Sequence, residues 1–293
     1  MDTAATTSHR WLQRLRLYRR LTRLDRPVGT LLLLWPTLTA LWFAAHGWPG
    51  WQLAAIFVVG TWLMRSAGCA INDVADRRFD AHVKRTAQRV VATGAVSSRE
   101  ALAVAAVLAA AAAVTLLWLN AAARLAAVVA IVVTAAYPYF KRFFALPQAM
   151  LGIAFSFGIP MAFCAVQGRL PAAAWWMLAA NFFWVIAYDT EYAMVDRDDD
   201  VKLGLRSSAI LFGRADVAMV ALCYAIYLSA MAALAWSERL GPGFAVGWLA
   251  AAGCAVYHVR LIRQRQRDAC FRAFLHNQWL GLAIFAGTVA GFA

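Results

Sequence analysis

Long apolar stretches alternate with polar connections along the whole chain. Most stretches reach the ~20 residues that a helix needs to cross about 30 Å of hydrocarbon. Only helices and closed barrels satisfy their backbone groups in lipid, so the pattern predicts an all-α polytopic membrane protein. We predict nine transmembrane helices around a central cavity that opens laterally to lipid, at residues 28–46, 51–71, 100–119, 121–140, 146–167, 172–190, 214–236, 242–260 and 273–292.

The connections are of two kinds, which predict the orientation of the chain. Short connections carry few charges, whereas the longer connections, together with the N-terminal tail, carry 24 of the 28 Lys and Arg residues. The positive-inside rule places this basic side in the cytoplasm. We therefore expect a multi-pass protein of the cell inner membrane, with its N-terminus cytoplasmic and its C-terminus outside.

Composition agrees with a membrane protein and gives a reason for the basic charge. The chain is 63% hydrophobic and only 15% charged, which is too few charged residues for a soluble domain of this length. A net charge of +13 would suggest nucleic acid in a soluble protein. Here the basic residues follow the topology, so we expect membrane lipid and no nucleic acid as a partner.

Residues 1–27 form a basic tail without the apolar core of a secretory signal. Trp11, Leu15 and Tyr18 fall on one helical face among arginines, which predicts an amphipathic helix on an anionic membrane surface. A mitochondrial transit peptide has the same composition and is the alternative.

The remainder, 28–293, is predicted to be a single domain with a faint internal repeat. Asp76 and Asp80 follow the second span as Asp196 and Asp200 follow the sixth, 120 residues later. Pro36 and Pro160 are expected to interrupt the first and fifth spans at matching places. A unit repeated at about 28–140 and 146–260, plus a ninth helix, fits this pattern.

The first acidic cluster follows the second span. On a helix Asn72, Asp76 and Asp80 share a face, and such oxygen ligands repel one another unless a cation lies between them. Mg²⁺ suits them, because it binds one or two carboxylates and fills its other positions with water and phosphate.

The second cluster repeats this arrangement. Asp196 and Asp200 are one helical turn apart, with Asp189 two turns before Asp196, whereas Asp198 and Asp199 point elsewhere. A solvated loop with helix-capping aspartates is the alternative for either cluster. Two such clusters in equivalent places favour a functional site at the membrane edge.

A prenyl diphosphate matches this site, because its head is anionic and its tail belongs in lipid. Two Mg²⁺ ions, one per cluster, would bind the diphosphate and stabilise it as a leaving group. A cavity among helices would keep water from the allylic cation. Basic residues able to contact the phosphates are Arg77, Lys84, Arg85, Arg89, Lys141, Arg142, Lys202 and Arg206.

Several motifs resemble the 4-hydroxybenzoate polyprenyltransferases of the UbiA superfamily over nearly the whole chain. They are Leu24 to Gly29, Leu31 to Thr37, Arg65 to Asp73, Gly152 to Ala162 and Tyr188 to Asp200, the last being typical of the hydroxybenzoate branch. The chain departs from the family at Gln88-Arg89-Val90, where the family usually has Asn-Arg-Pro.

The resemblance implies Mg²⁺-dependent transfer of a polyprenyl chain from its diphosphate to 4-hydroxybenzoate, ortho to the hydroxyl, in ubiquinone biosynthesis. Its first motif maps onto Asn72, Asp73, Asp76 and Asp80, its second onto Asp196 and Asp200, and its basic residue after the fourth span onto Arg142.

Arg65 lies inside the second span and is expected to bind the acceptor carboxylate, unless it pairs with a protein carboxylate or extends to the surface. Asp73, Asp196, the diphosphate or water could accept the ring proton. Another aromatic acceptor, or a cation-coupled transporter, are the competing functions; transporters usually place ionisable groups near the midplane.

Overall fold

The computed structural model describes residues 3–140 and 146–293, and every regular element in these ranges is helical, as predicted. The helices are α1 (Thr3–Leu21), α2 (Val28–Ala45), α3 (Trp51–Ala75), α4 (Arg77–Asp80), α5 (Ser98–Thr115), α6 (Ala121–Phe140), α7 (Pro147–Ser156), α8 (Gly158–Gln167), α9 (Ala172–Lys202), α10 (Ser208–Phe212), α11 (Asp216–Ser237), α12 (Pro242–Ile262) and α13 (Arg267–Phe292).

Six segments in the described ranges are long and apolar enough to cross a membrane: Val28–Ala45, Trp51–Ala75, Ser98–Trp118, Pro147–Gln167, Ser208–Ser237 and Pro242–Ile262. Their outer faces are apolar yet exposed: only 17% of the most apolar window of Ser98–Trp118 is buried. Trp51 and Trp236, beside short connections, are 81% and 88% exposed, as tryptophans of an interfacial belt are. The chain is therefore a multi-pass membrane protein.

The two span prolines have different effects. The fifth predicted span is divided at Phe157, between α7 and α8. Pro160 cannot donate to the carbonyl of Ser156, four residues earlier, which accounts for the break. Pro36, in contrast, lies inside an unbroken α2, so the expected interruption of the first span is wrong.

The chain separates into two compact units, and the first comprises residues 3–30 and 59–115. Leu21 of α1 is fully buried in an apolar cluster with side chains of α3, of α5 and of the connection that contains Val90 and Val91. The hydroxyl of Tyr18 donates to Oε1 of Glu100 at 2.6 Å. The tail therefore forms the predicted helix, with Tyr18 turned toward α5 and Leu15 exposed.

The second unit comprises residues 31–58 and 116–293, and α9 runs through it. This helix packs against α7, α11 and α13, and α12 lies along α13. Glycines set the α12–α13 spacing: a Cβ at Gly247 would meet the carbonyl oxygen of Ala283 and lie 2.5 Å from Cα of Gly287. Small residues let membrane helices approach closely where no hydrophobic force draws them together.

Gly247→Ala should therefore destabilise the protein by about 1–3 kcal/mol, because the added methyl meets backbone that cannot move aside. Thermal unfolding in detergent, followed by tryptophan fluorescence, measures the loss as a lower Tm. Gly253→Ala is the matched control on α12, since nothing lies within 4 Å of its Cβ position. Equal Tm values for the two variants would contradict the close α12–α13 contact.

Candidate active site

The first acidic motif lies where α3 ends and α4 begins. The amide of Asp76 donates to the carbonyl of Asn72, and that of Asp80 to the carbonyl of Asp76, both at 2.9 Å. These i→i+4 bonds keep the chain helical in register through the short interruption at Asp76. Asn72, Asp76 and Asp80 therefore share a face, as predicted.

Asp73 lies on the side of the motif that faces Arg89, as Asp80 does, and is only 1% exposed. Its Oδ1 accepts a hydrogen bond from Nη2 of Arg23 at 2.7 Å and lies 3.3 Å from Nη1 of Arg89. Two guanidinium groups thus compensate a carboxylate whose burial alone would be costly. Sequence reasoning missed Arg23, which lies just after α1 with a left-handed backbone (φ 58°).

Arg89 also joins the motif to its following loop, because its Nη1 donates to Oδ2 of Asp80 at 2.8 Å. Burial raises the pKa of the Asp80 carboxyl, and Arg89 opposes that shift without cancelling it. The guanidinium therefore occupies the position of a counter-cation between Asp73 and Asp80.

The second acidic motif belongs to α9, which continues past the apolar stretch to Lys202. Asp196 is buried and Asp200 half-buried, one turn apart on this helix. Asp198 and Asp199 turn toward Arg267 at the start of α13, with N–O distances of 3.6 and 3.1 Å. Both acids thus form ion pairs with a residue outside the motif.

A carboxylate that the sequence analysis overlooked anchors this region. Asp216, fully buried at the start of α11, accepts three hydrogen bonds from the guanidinium of Arg265 at 2.7–3.0 Å. Arg197, the neighbour of Asp196, donates to Asp216 at 3.2 Å. The sequence signal for Asp216 was its position as an isolated acid at the start of the apolar helix α11. Its contacts tie α9 to α11 beside the second motif.

Oxygen donors in the first motif fit a hard divalent cation. No three His, Cys, Asp or Glu side chains within residues 3–140 and 146–293 form a ready-made metal cage. Mg²⁺ needs none, since one or two carboxylates, water and substrate phosphates complete its shell. Buried Oδ2 of Asp73, next to this motif, accepts no hydrogen bond from the described residues.

The basic residues predicted to bind substrate differ in their contacts and exposure. Arg65 lies on α3, and its guanidinium crosses the first turn of α2: a Cβ at Gly29 would lie 2.6 Å from its Nη2. Lys84 is exposed, whereas Arg89 pairs with the acids. Lys141 and Arg142 lie outside the described residues.

Where the family pattern is lost, the backbone is held by other contacts. The carbonyl of Gln88 accepts from Arg20 at 3.1 Å, and that of Val90 accepts from the amide of Val96 at 3.0 Å. Val90 itself is buried in the apolar cluster of the first unit. Loss of the usual proline therefore leaves a loop fixed by packing and hydrogen bonds.

Asp216→Asn should destabilise the protein by about 2 kcal/mol, since charge-assisted bonds to two arginines are lost. The partly exposed guanidinium groups can regain water, which limits the cost. The midpoint of thermal unfolding in detergent measures it. Asp268→Asn, an exposed acid in the first turn of α13, is the control and should leave the midpoint nearly unchanged. A smaller effect at Asp216 than at Asp268 would rule out the anchoring role.

Comparison with known sequences identifies the family. The sequence profile of the UbiA prenyltransferase family matches residues 33–282. Proteins named 4-hydroxybenzoate octaprenyltransferase from Cupriavidus necator and Herminiimonas arsenicoxydans are 61% and 58% identical to this chain. In each case the match covers 96% of this chain and 99% of the relative.

Solved structures agree with the sequence match. The apo structure of a UbiA homolog from Aeropyrum pernix K1 has a TM-score of 0.79 at 25% identity, covering 89% of this chain and 97% of that one. A UbiA homolog from Archaeoglobus fulgidus bound to GPP and Mg²⁺ shares the fold, with a TM-score of 0.67 at 19% identity over 92% of this chain and 99% of that one. The chain belongs to the UbiA prenyltransferase family.

Proposed function

We propose that this chain transfers a polyprenyl group from polyprenyl diphosphate to the ring carbon ortho to the hydroxyl of 4-hydroxybenzoate, in ubiquinone biosynthesis. The observation that carries the proposal is the near-full-length identity of 61% to a protein named for this acceptor. Acidic motifs at the polar ends of apolar helices supply the chemistry that such a transfer needs.

Asn72, Asp76 and Asp80 would hold one Mg²⁺ ion, and Asp196 and Asp200 a second. A cation held by these residues would neutralise the charge that develops on the leaving diphosphate. The register of Asn72, Asp76 and Asp80 supports this assignment, because the backbone bonds between them place the three residues at successive turns of one helical face.

Basic residues complete the binding of the diphosphate. Arg89 presents its guanidinium beside Asp80, and bidentate donors suit phosphate. Lys84, Lys141 and Arg142 are the other proposed contacts. Asp73 and Asp196 are the carboxylates proposed to accept the ring proton, and Asp73 retains one oxygen with no hydrogen bond from the described residues.

Arg65 is the proposed partner of the acceptor carboxylate. Its guanidinium lies against α2 at Gly29, where a side chain would displace it. The absence of a side chain at Gly29 therefore leaves room for the guanidinium of Arg65 within the span. A positive charge at such a position favours an anionic ligand.

Nine spans, a cavity open laterally to lipid and a cytoplasmic acidic face complete the proposal. Within the described residues, six segments are long and apolar enough to cross a membrane, and helices α6, α9 and α13 are the proposed other three spans. A polyprenyl tail could then enter from the bilayer, while the cation formed at its head is shielded from water.

Purified enzyme should transfer label from 4-hydroxybenzoate to a lipid product only with Mg²⁺ and a polyprenyl diphosphate. Asp76→Asn should reduce kcat/KM about 10–100-fold by weakening metal binding. Asp198→Asn, an exposed acid turned toward Arg267, is the control and should retain activity. The proposal is wrong if wild-type enzyme gives no Mg²⁺-dependent product with any prenyl length; a product with a different aromatic acceptor alone would reassign the acceptor.

Arg65→Gln should raise the KM for 4-hydroxybenzoate about tenfold or more, since one charge-assisted bond is worth about 1.5–3 kcal/mol. The KM for the diphosphate should change far less. Gly29→Ala should give a smaller change of the same kind by displacing the guanidinium. Gly68→Ala, three residues after Arg65 and with nothing within 4 Å of its Cβ position, is the control. Equal changes in both KM values would exclude this role.

A further inference from the structure

Five polar side chains of the second unit form a buried network that the proposed chemistry does not use. Glu191 of α9, Tyr224 of α11 and Asn277 of α13 meet at its centre, and each is at most 1% exposed. Tyr224 continues the network to His258 of α12, which in turn meets His276 of α13. His258 and His276 are 18 residues apart on different helices, so their contact could not be predicted from the sequence.

The contacts at the centre are short and well defined. The hydroxyl oxygen of Tyr224 lies 2.9 Å from Oε1 of Glu191, 2.9 Å from Oδ1 of Asn277 and 3.0 Å from Nδ1 of His258. Nδ2 of Asn277 donates to Oε2 of Glu191 at 2.8 Å. Four helices thus meet at one hydroxyl group.

The orientation of the Asn277 amide follows from its other partners. Its oxygen accepts from the indole Nε1 of Trp184 at 2.9 Å, and indole nitrogen only donates. Its nitrogen donates to the carbonyl of Ala273 at 3.0 Å, and a carbonyl only accepts. The oxygen that faces Tyr224 is therefore an acceptor without a proton.

A count of protons then fixes the state of Glu191. The Tyr224 hydroxyl has one proton, yet it faces two carbonyl-type oxygens at 2.9 Å. Asn277 cannot donate, whereas His258 can donate through Nδ1. All three contacts of the hydroxyl are therefore satisfied when Tyr224 donates to Asn277 and accepts from His258 and from Oε1 of a protonated Glu191. An ionised Glu191 would leave two lone pairs in contact in a buried site, and no lysine or arginine in the described part of the chain pairs with it.

We propose that Glu191 is a neutral carboxylic acid that positions the second acidic motif. It lies five residues before Asp196 on the same helix, and its two oxygens tie that helix to α11 and α13. The role rests on the proposed function, since it assigns to Glu191 the placement of Asp196 and Asp200 for metal binding. Glu191 is a positioning residue and contacts no substrate in this assignment.

Glutamine is the variant that separates a neutral acid from a charged one. In Glu191→Gln the side-chain amide can donate to Tyr224 while its oxygen accepts from Asn277, so the network persists. We expect kcat and the Mg²⁺ concentration for half-maximal activity to stay within about twofold of wild type. Glu191→Ala removes both bonds and should raise that Mg²⁺ concentration about tenfold or more, as loss of outer-shell support does.

Infrared difference spectra between wild type and Glu191→Gln test the proton directly. At neutral pH the wild-type protein should show the carbonyl band of a protonated carboxylic acid that the glutamine variant lacks. If Glu191→Ala does not fold, Tyr224→Phe keeps the ring and removes the central hydroxyl, and should raise the Mg²⁺ requirement in the same direction.

Three results would overturn the proposal: a glutamine variant as impaired as the alanine variant, absence of the acid band, or an alanine variant with lower Tm but unchanged Mg²⁺ dependence. Failure of the proposed function is distinguishable, because wild-type enzyme would then show no Mg²⁺-dependent transfer while the infrared band persisted.

Discussion

Compensation of buried acid groups is the constraint on which the acidic motifs of both units depend. A carboxylate removed from water costs several kcal/mol unless its charge is paired or absent. Asp73 and Asp216 are each compensated by two arginines, whereas Glu191 is compensated by its own proton. A buried carboxyl group is thus a paired anion at Asp73 and Asp216, near helix ends, and a neutral hydrogen-bond donor at Glu191, deeper among the helices.

This compensation links stability to chemistry. Three of the four arginines that stabilise Asp73 and Asp216, namely Arg23, Arg89 and Arg265, come from connections between helices, so these connections are fixed by the acids that they contact. The fourth, Arg197, belongs to α9. Between the helices, contact depends on small residues and on a few hydrogen-bonded side chains, since lipid provides no hydrophobic drive for helices to associate. Close helix packing and fixed acid side chains are therefore linked.

The sequence predicted what local patterns determine. Apolar length gave the helices, and four-residue spacing placed Asn72, Asp76 and Asp80 on one face. Pro36 was misjudged because a proline removes only one hydrogen bond, and whether the helix then breaks depends on its neighbours. The partners of Asp73 and Asp216, and the meeting of Glu191 with Asn277 86 residues later, depend on tertiary packing that a single sequence does not record.

Helix α9 is unbroken over 31 residues, which makes it about 46 Å long at 1.5 Å per residue. As a proposed span it exceeds the hydrocarbon thickness, so its last turns would extend beyond the hydrocarbon as a continuation of the same helix. Asp196 and Asp200 have no hinge of their own within it. Their height above the bilayer is a property of the whole helix, and only sliding or tilting that rod could alter it.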